Sequence, residues 1–261
     1  MKTDQEIFNN AKQLHQLGKI EEAQKLYLKI IDSNKNNFEL FFLLGTSFLQ
    51  IKKYNEAISY FDSAIELNPS FADTFNNRGI ALAESKKYLN AINDYDQALK
   101  LKPNFFSALL NKGIALKNIK QFENAIKCFE LGVKLNSENS EIYNNLGNVF
   151  KEQFFNKKAI NFYNKAIKLN PKYAKAYNNL GIVCQVEERY GDAKKNFTKA
   201  LNLDEKIEYL AGNIFYNKQF ICDWDNFDKE LKKIKKDIIE KKNTIVPFDF
   251  LSISDDAKYH K

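Results

Sequence analysis

Residues 140–173 read SEIYNNLGNVFKEQFFNKKAINFYNKAIKLNPKY, and one spacing in them decides the fold. Gly147 is followed twelve residues later by Ala159, and four residues after that by Tyr163. Working outward in both directions, the same triplet returns every 34 residues. The glycines are Gly45, Gly79, Gly113, Gly147 and Gly181; the alanines are Ala57, Ala91, Ala125, Ala159 and Ala193; the aromatics are Phe61, Tyr95, Phe129, Tyr163 and Phe197. A strict period of this length marks a chain of stacked copies of one small unit, each too small to bury a core alone.

Each copy holds two apolar runs at helical spacing, such as Phe75, Gly79, Leu82 and then Ala91, Tyr95, Ala98. Lysine-rich links, Lys52-Lys53 and Lys86-Lys87 among them, separate the runs. Pro69, Pro103 and Pro171 end the second run, because proline cannot continue a helix. Each copy is therefore expected to be a helical hairpin. Glycine inside a helix costs about 1 kcal/mol relative to alanine, so its recurrence implies that something must approach the backbone there.

The pattern resembles the tetratricopeptide repeat family. Tyr143, Leu146-Gly147, Phe150, Ala159, Tyr163, Ala166 and Pro171 match its signature throughout; Tyr177, Leu180-Gly181, Ala193, Phe197 and Ala200 match nearly as well. Ala11 fills the glycine slot of the first copy, Gly132 replaces an alanine in the fourth, and the sixth lacks the proline. The resemblance implies an all-α, right-handed α-solenoid of six hairpins over 4–207, with copies starting at residues 4, 38, 72, 106, 140 and 174. Residues 208–242 are expected to form capping helices, and 243–261 a partly extended tail.

In the family the first helix of each hairpin lines the concave side. Position six of the copies reads Asn9, Leu43, Asn77, Asn111, Asn145 and Asn179. Asparagine gains nothing there from helix propensity, whereas an amide offers both a donor and an acceptor to a peptide backbone. Asn9, Asn77, Asn111, Asn145 and Asn179 are thus the candidate peptide-binding residues, and an extended polypeptide is the expected partner. The opposing view is that they are exposed residues of an asparagine-rich chain, of which Asn76, Asn144 and Asn178 are further examples. Position five, with Phe8, Phe42 and Leu110 among its members, does not carry the lysines of a carboxylate-gripping groove.

The net charge is +7, and residues 208–261 contribute none of it. An even spread of about one charge per repeat, interleaved with acids, argues against a nucleic-acid footprint. Met1-Lys2-Thr3-Asp4-Gln5-Glu6 begins no signal peptide, and no apolar run is long enough for a membrane span. Cys128, Cys184 and Cys222 have no short-range pairing, so free thiols in a cytoplasmic protein are expected. His15 and His260 stand far apart, no phosphate-binding glycine loop is present, and no catalytic residue, metal site or cofactor is expected.

After Ile207 the register is lost. Asp225 is a plausible N-cap for a helix whose stripe is Phe227, Leu231, Ile234 and Ile238. Cys222-Asp223-Trp224, Asn226-Phe227-Asp228, Pro247-Phe248 and Leu251-Ser252 together resemble the junction in O-GlcNAc transferase-type glycosyltransferases. Two functions follow. The first is a non-catalytic protein-interaction scaffold; the alternative is the substrate-recognition arm of such a transferase, partnered by a separately encoded catalytic domain. A nucleic-acid or surface-binding module is a weaker third.

Overall fold

The computed structural model describes residues 3–240, and the segments expected at 243–261, with Pro247-Phe248, Leu251-Ser252 and His260, lie outside them. The described residues form fourteen α-helices and no strand. Two compact units divide the described residues, one ending at Asn136 and the other beginning at Ser137.

The first unit holds four hairpins: α1 (Asp4–Gln16) with α2 (Ile20–Ile30), α3 (Phe38–Gln50) with α4 (Tyr54–Leu67), α5 (Ala72–Glu84) with α6 (Tyr88–Leu101), and α7 (Phe106–Asn118) with α8 (Phe122–Leu135). Each hairpin closes on itself, and within this unit the first three each pack on the next. The second unit holds α9 (Ser140–Glu152) with α10 (Asn156–Leu169), α11 (Ala174–Val186) with α12 (Tyr190–Leu203), and then α13 (Leu210–Phe220) and α14 (Phe227–Ile239). The architecture is an α-solenoid.

The glycine slot explains the hairpin. A Cβ placed on Gly147 would stand 2.5 Å from the Tyr163 ring, and on Gly79 2.6 Å from the Tyr95 ring. The other three repeat glycines face Phe61, Phe129 and Phe197 in the same way. No real carbon tolerates that distance, so the ring of the second helix occupies the space that a side chain on the first would fill. Tyr27, Phe61, Tyr95, Phe129, Tyr163 and Phe197 are all fully buried, one for each hairpin.

The turn between the paired helices is a Schellman motif. Lys53 N–H bonds the Phe48 carbonyl at 2.9 Å and Lys52 N–H bonds that of Leu49 at 3.0 Å, with Lys52 left-handed at φ 61°. Lys86, Lys120, Phe154 and Glu188 hold the same strained conformation, and only the first hairpin uses a glycine, Gly18. First helices are capped by side chains where asparagine or threonine precedes them: Thr3 makes a capping box with Glu6, and Asn37 and Asn139 accept from Leu40 and Ile142. Phe71 occupies that place before α5 and instead packs its ring edge-on against Phe38 and Phe42, both at 5.2 Å.

Beyond Leu203, α13 packs on α12, and α14 packs on α13 through Phe215 and Ile234, flanked by Phe227, Leu231 and Ile238. The four-residue stripe thus meets Phe215. Asp225 is not the N-cap of α14: Asn226 takes that place with left-handed φ 58° and no side-chain cap bond. Asp225 instead gives its carbonyl to buried Lys218, whose ammonium also reaches Glu230 at 3.1 Å. That ammonium needs acceptors in a dry site, and it draws the loop over itself. Trp224 is 56 % exposed and touches Phe227 edge-on, so it is not a core anchor.

Candidate functional site

Position six lies on the first helix of each hairpin, two residues before the glycine that packs inward. Its neighbours decide what the amides can do. In the first unit, Asn111 Nδ2 donates to Asn76 Oδ1 at 3.2 Å, and Asn76 Nδ2 donates to Asn77 Oδ1 at 3.1 Å. In the second, Asn179 Nδ2 donates to Asn144 Oδ1 at 2.9 Å. Asn76 and Asn144 are each only 5 % exposed, while Asn77, Asn111 and Asn179 are half-buried and Asn145 is buried. Asn76 and Asn144, read from sequence as mere examples of an asparagine-rich chain, are therefore supports of the neighbouring amides. The signal was present in their spacing, 35 residues before the partner amide, one more than the repeat.

Asn9 is exposed and accepts from Gln5 Nε2 at 3.2 Å, outside these clusters. Leu43 interrupts the row and packs into the core of the first two hairpins. The structure thus brings together Asn77 with Asn111 through Asn76, and leaves Asn9 apart. In the fourth copy position five is Leu110, which carries no amide. The Nδ2 of Asn77 and the Oδ1 of Asn111 take no hydrogen bond from the described residues. An anchored amide with one free edge is a preoriented donor or acceptor.

A cavity of about 350 Å³ opens beside Asn111, walled by Ile80, Ala83, Ile114 and Ala115 with Glu84 and Asn118 among its polar residues. Tyr95 lines it, and its hydroxyl has no hydrogen-bond partner among the described residues. The equivalent Tyr163 donates its hydroxyl to Asn148 at 2.9 Å, and Ile80 stands where Asn148 would serve Tyr95. Burial raises the Tyr95 phenol well above its ordinary pKa, with the negative charges of Asp94 and Glu84 adding to it.

A second polar cluster is structural. Arg78 makes two bonds to buried Asp94, at 2.7 and 2.6 Å, and one to Asp62 at 2.6 Å, joining the second helices of two neighbouring hairpins. Burial pushes the Asp94 carboxyl up, against the pull of the Arg78 guanidinium, which is held protonated. Cys128 and Cys184 are buried, their thiol pKa values raised by desolvation, and Cys222 is exposed. Among the described residues no group of His, Cys, Asp and Glu is placed to hold a metal ion. No helix there is long and apolar enough to cross a membrane.

The charge is not spread evenly, contrary to the expectation above. Residues 140–173 carry six lysines and two glutamates, whereas residues 38–71 carry two lysines and four acids.

Sequence models of the tetratricopeptide repeat match residues 38–71, 72–105, 106–139 and 174–207, and a related repeat model matches 156–185. Together they cover more than half of the chain. No curated protein sequence matches it. Among solved structures, MamA from Desulfovibrio magneticus RS-1 is 27 % identical, with a TM-score of 0.58 over 67 % of this chain and 97 % of that one. YrrB, described as a TPR protein with an unusual peptide-binding site, is 20 % identical, with a TM-score of 0.53 over 69 % and 92 %. The pilF protein of Pseudomonas aeruginosa is 19 % identical, with a TM-score of 0.67 over 76 % and 90 %. At their identities the last two show the fold alone. With the period, the ring-on-glycine packing and the family match in agreement, the chain belongs to the tetratricopeptide repeat family.

Proposed function

We propose that the chain is a non-catalytic scaffold whose first helices bind extended polypeptide, through Asn77 and Asn111 in the first unit and through Asn145 and Asn179 in the second. The observation that carries this reading is the anchoring of Asn111 on Asn76 and of Asn179 on Asn144. Anchoring removes the rotamer entropy that a free amide loses on binding, and leaves donor and acceptor atoms for a ligand backbone. Asn9, exposed and outside the clusters, is the weakest member. The cavity beside Asn111 adds side-chain selectivity: its apolar walls and the unpartnered Tyr95 hydroxyl suit a ligand side chain with an apolar body and a polar tip. The peptide-binding site of YrrB supports the general mode. For the alternative, a recognition arm of an O-GlcNAc-type transferase, only the segment from Cys222 to Asp228 lies within the described residues, and no observation there favours it.

The test is to select binders from a random peptide library on the full chain, then measure them against a variant with Asn77, Asn111, Asn145 and Asn179 all changed to Ala. Each lost bond is worth about 0.5–1.5 kcal/mol, so affinities should fall at least tenfold for every selected sequence. Alanine raises helix propensity while Asn76 and Asn144 lose a partner, so stability should move by only about 1 kcal/mol. Selected peptides that bind the variant as tightly as wild type would sink the reading.

A further inference from the structure

We infer that the outer face of α10 is a second interaction surface, distinct from the amide face, and that its partner is an acidic polypeptide segment. From Gln153 to Val186 the sequence holds six lysines and not one Asp or Glu. Lys157, Lys158, Lys165, Lys168, Lys172 and Lys175 are all exposed, and none is in an ion pair among the described residues. Four of them fall on α10. At 100° per residue, Lys157, Lys158, Lys165 and Lys168 share an arc of about 100°, and they extend about 16 Å along the axis. Asn161 and Asn164 fill the rest of that face, so no carboxylate interrupts it.

Local stability does not account for the arrangement. Helix N-termini favour negative side chains, and α2, α4, α8 and α12 place Glu21 and Glu22, Glu56, Glu123 and Asp192 in their first turns. The first turn of α10 has no acid and instead carries Lys157 and Lys158. Lys157 and Lys158 are held where the dipole opposes them, Lys168 lies in the last turn where it is favoured, and with Lys165 they form a positive field that an outside anion relieves.

The surroundings select among polyanions. Single-stranded nucleic acid needs free aromatic faces on which bases stack. Here most rings beside the stripe are taken, and the exposed Phe154 is a single ring, too few for successive bases: Lys158 Nζ lies 5.2 Å from the Phe150 centroid and 5.3 Å from that of Phe155, Phe162 stacks on Phe150, and Lys165 covers Tyr143. An anionic bilayer would be met by Phe154, 85 % exposed at the turn. But Glu187 is bonded to Asn156 at 2.6 Å in the next turn, and with exposed Glu188 it would be carried into the same negative surface. A polypeptide bearing several carboxylates meets neither obstacle: it needs point charges along a line, and Phe154 offers one apolar contact at the end.

The experiment uses the full chain and a fluorescein-labelled peptide of twelve glutamates, followed by anisotropy at 50 and 200 mM salt. A variant with Lys157, Lys158, Lys165 and Lys168 changed to Gln is compared with one carrying Lys52, Lys86, Lys120 and Lys127 changed to Gln, which has the same net charge. The inference expects wild type to bind at 50 mM salt, the α10 variant to bind at least tenfold more weakly, and the control to stay within twofold of wild type. Equal losses in the two variants, or no binding by wild type, overturn it. It is also overturned if a twenty-nucleotide single strand, or vesicles containing phosphatidylserine, bind more tightly than the peptide and lose that binding in the α10 variant. Library peptides that depend on the asparagine row should be unaffected by the α10 variant, so the two surfaces stand or fall separately.

Discussion

At the scale of single residues, the repeat glycines and the left-handed turn residues work in opposite directions. Gly147 is required because Tyr163 occupies the space a Cβ would fill, 2.5 Å away. Gly147→Ala should therefore destabilise by about 1–3 kcal/mol, read as a lower urea midpoint. An unchanged midpoint would mean that the ring moves aside freely. Lys52, Lys86, Lys120, Phe154 and Glu188 adopt a conformation that glycine holds without strain. Phe154→Gly should raise stability by about 0.5–1 kcal/mol, even though it removes a large apolar side chain, because that side chain is exposed and covers nothing. A lower midpoint would show that Phe154 packs in solution. The glycine slots were legible in the sequence because steric demand leaves a fixed residue type at a fixed spacing. The turn conformation was not, because five of six turns meet it with residues that give no signal.

At the scale of helices, a few polar links supplement apolar contact: Arg78 ties α5 to buried Asp94 on α6 of the same hairpin and to half-exposed Asp62 on α4 of the preceding one. Arg78→Leu leaves the Asp94 carboxylate buried without its partner and should cost about 3–5 kcal/mol in urea melts. Changing both Arg78 and Asp94 to Leu should recover most of that loss, since leucine is the residue at the same slot in Leu44, Leu146 and Leu180. A double variant as unstable as the single would locate the loss in packing rather than in the stranded charge. The hairpins were readable because each one is local, with 34 residues carrying both helices and their contact. The links between helices were not. Asn76 and Asn144 acquire their meaning only when the next hairpin presents Asn111 and Asn179, and Lys218 only when the loop before α14 closes on it. The α14 stripe was legible from its period; its start was not, because Asn226 begins the helix from a left-handed conformation that Asp225 was expected to cap.

At the scale of the whole chain, one fully buried ring per hairpin gives the molecule a distinctive alkaline limit. Three of the six rings are tyrosines, Tyr27, Tyr95 and Tyr163, and burial raises each phenol well above its ordinary value of 10.0. The unfolded chain releases those protons above pH 10 while the folded chain keeps them. The stabilising contribution is therefore fully present below pH 10 and is lost as pH rises above it. Each phenol that ionises only on unfolding adds a slope of about 1.4 kcal/mol per pH unit, so three impose about 4 kcal/mol per unit. A variant with all three changed to Phe keeps the rings against Gly79, Gly147 and Ala11, and loses only the hydroxyls. Its cost at pH 8 should be small, about 1 kcal/mol, mainly from the bond between Tyr163 and Asn148. Between pH 10 and 11 its urea midpoint should fall far less than that of wild type, so that the two curves cross. Tyr173, raised to about 12 by burial, is present in both proteins and cancels. Parallel curves from pH 8 to 11 would show that the three phenols titrate alike in the folded and unfolded chain, and would sink the alkaline limit.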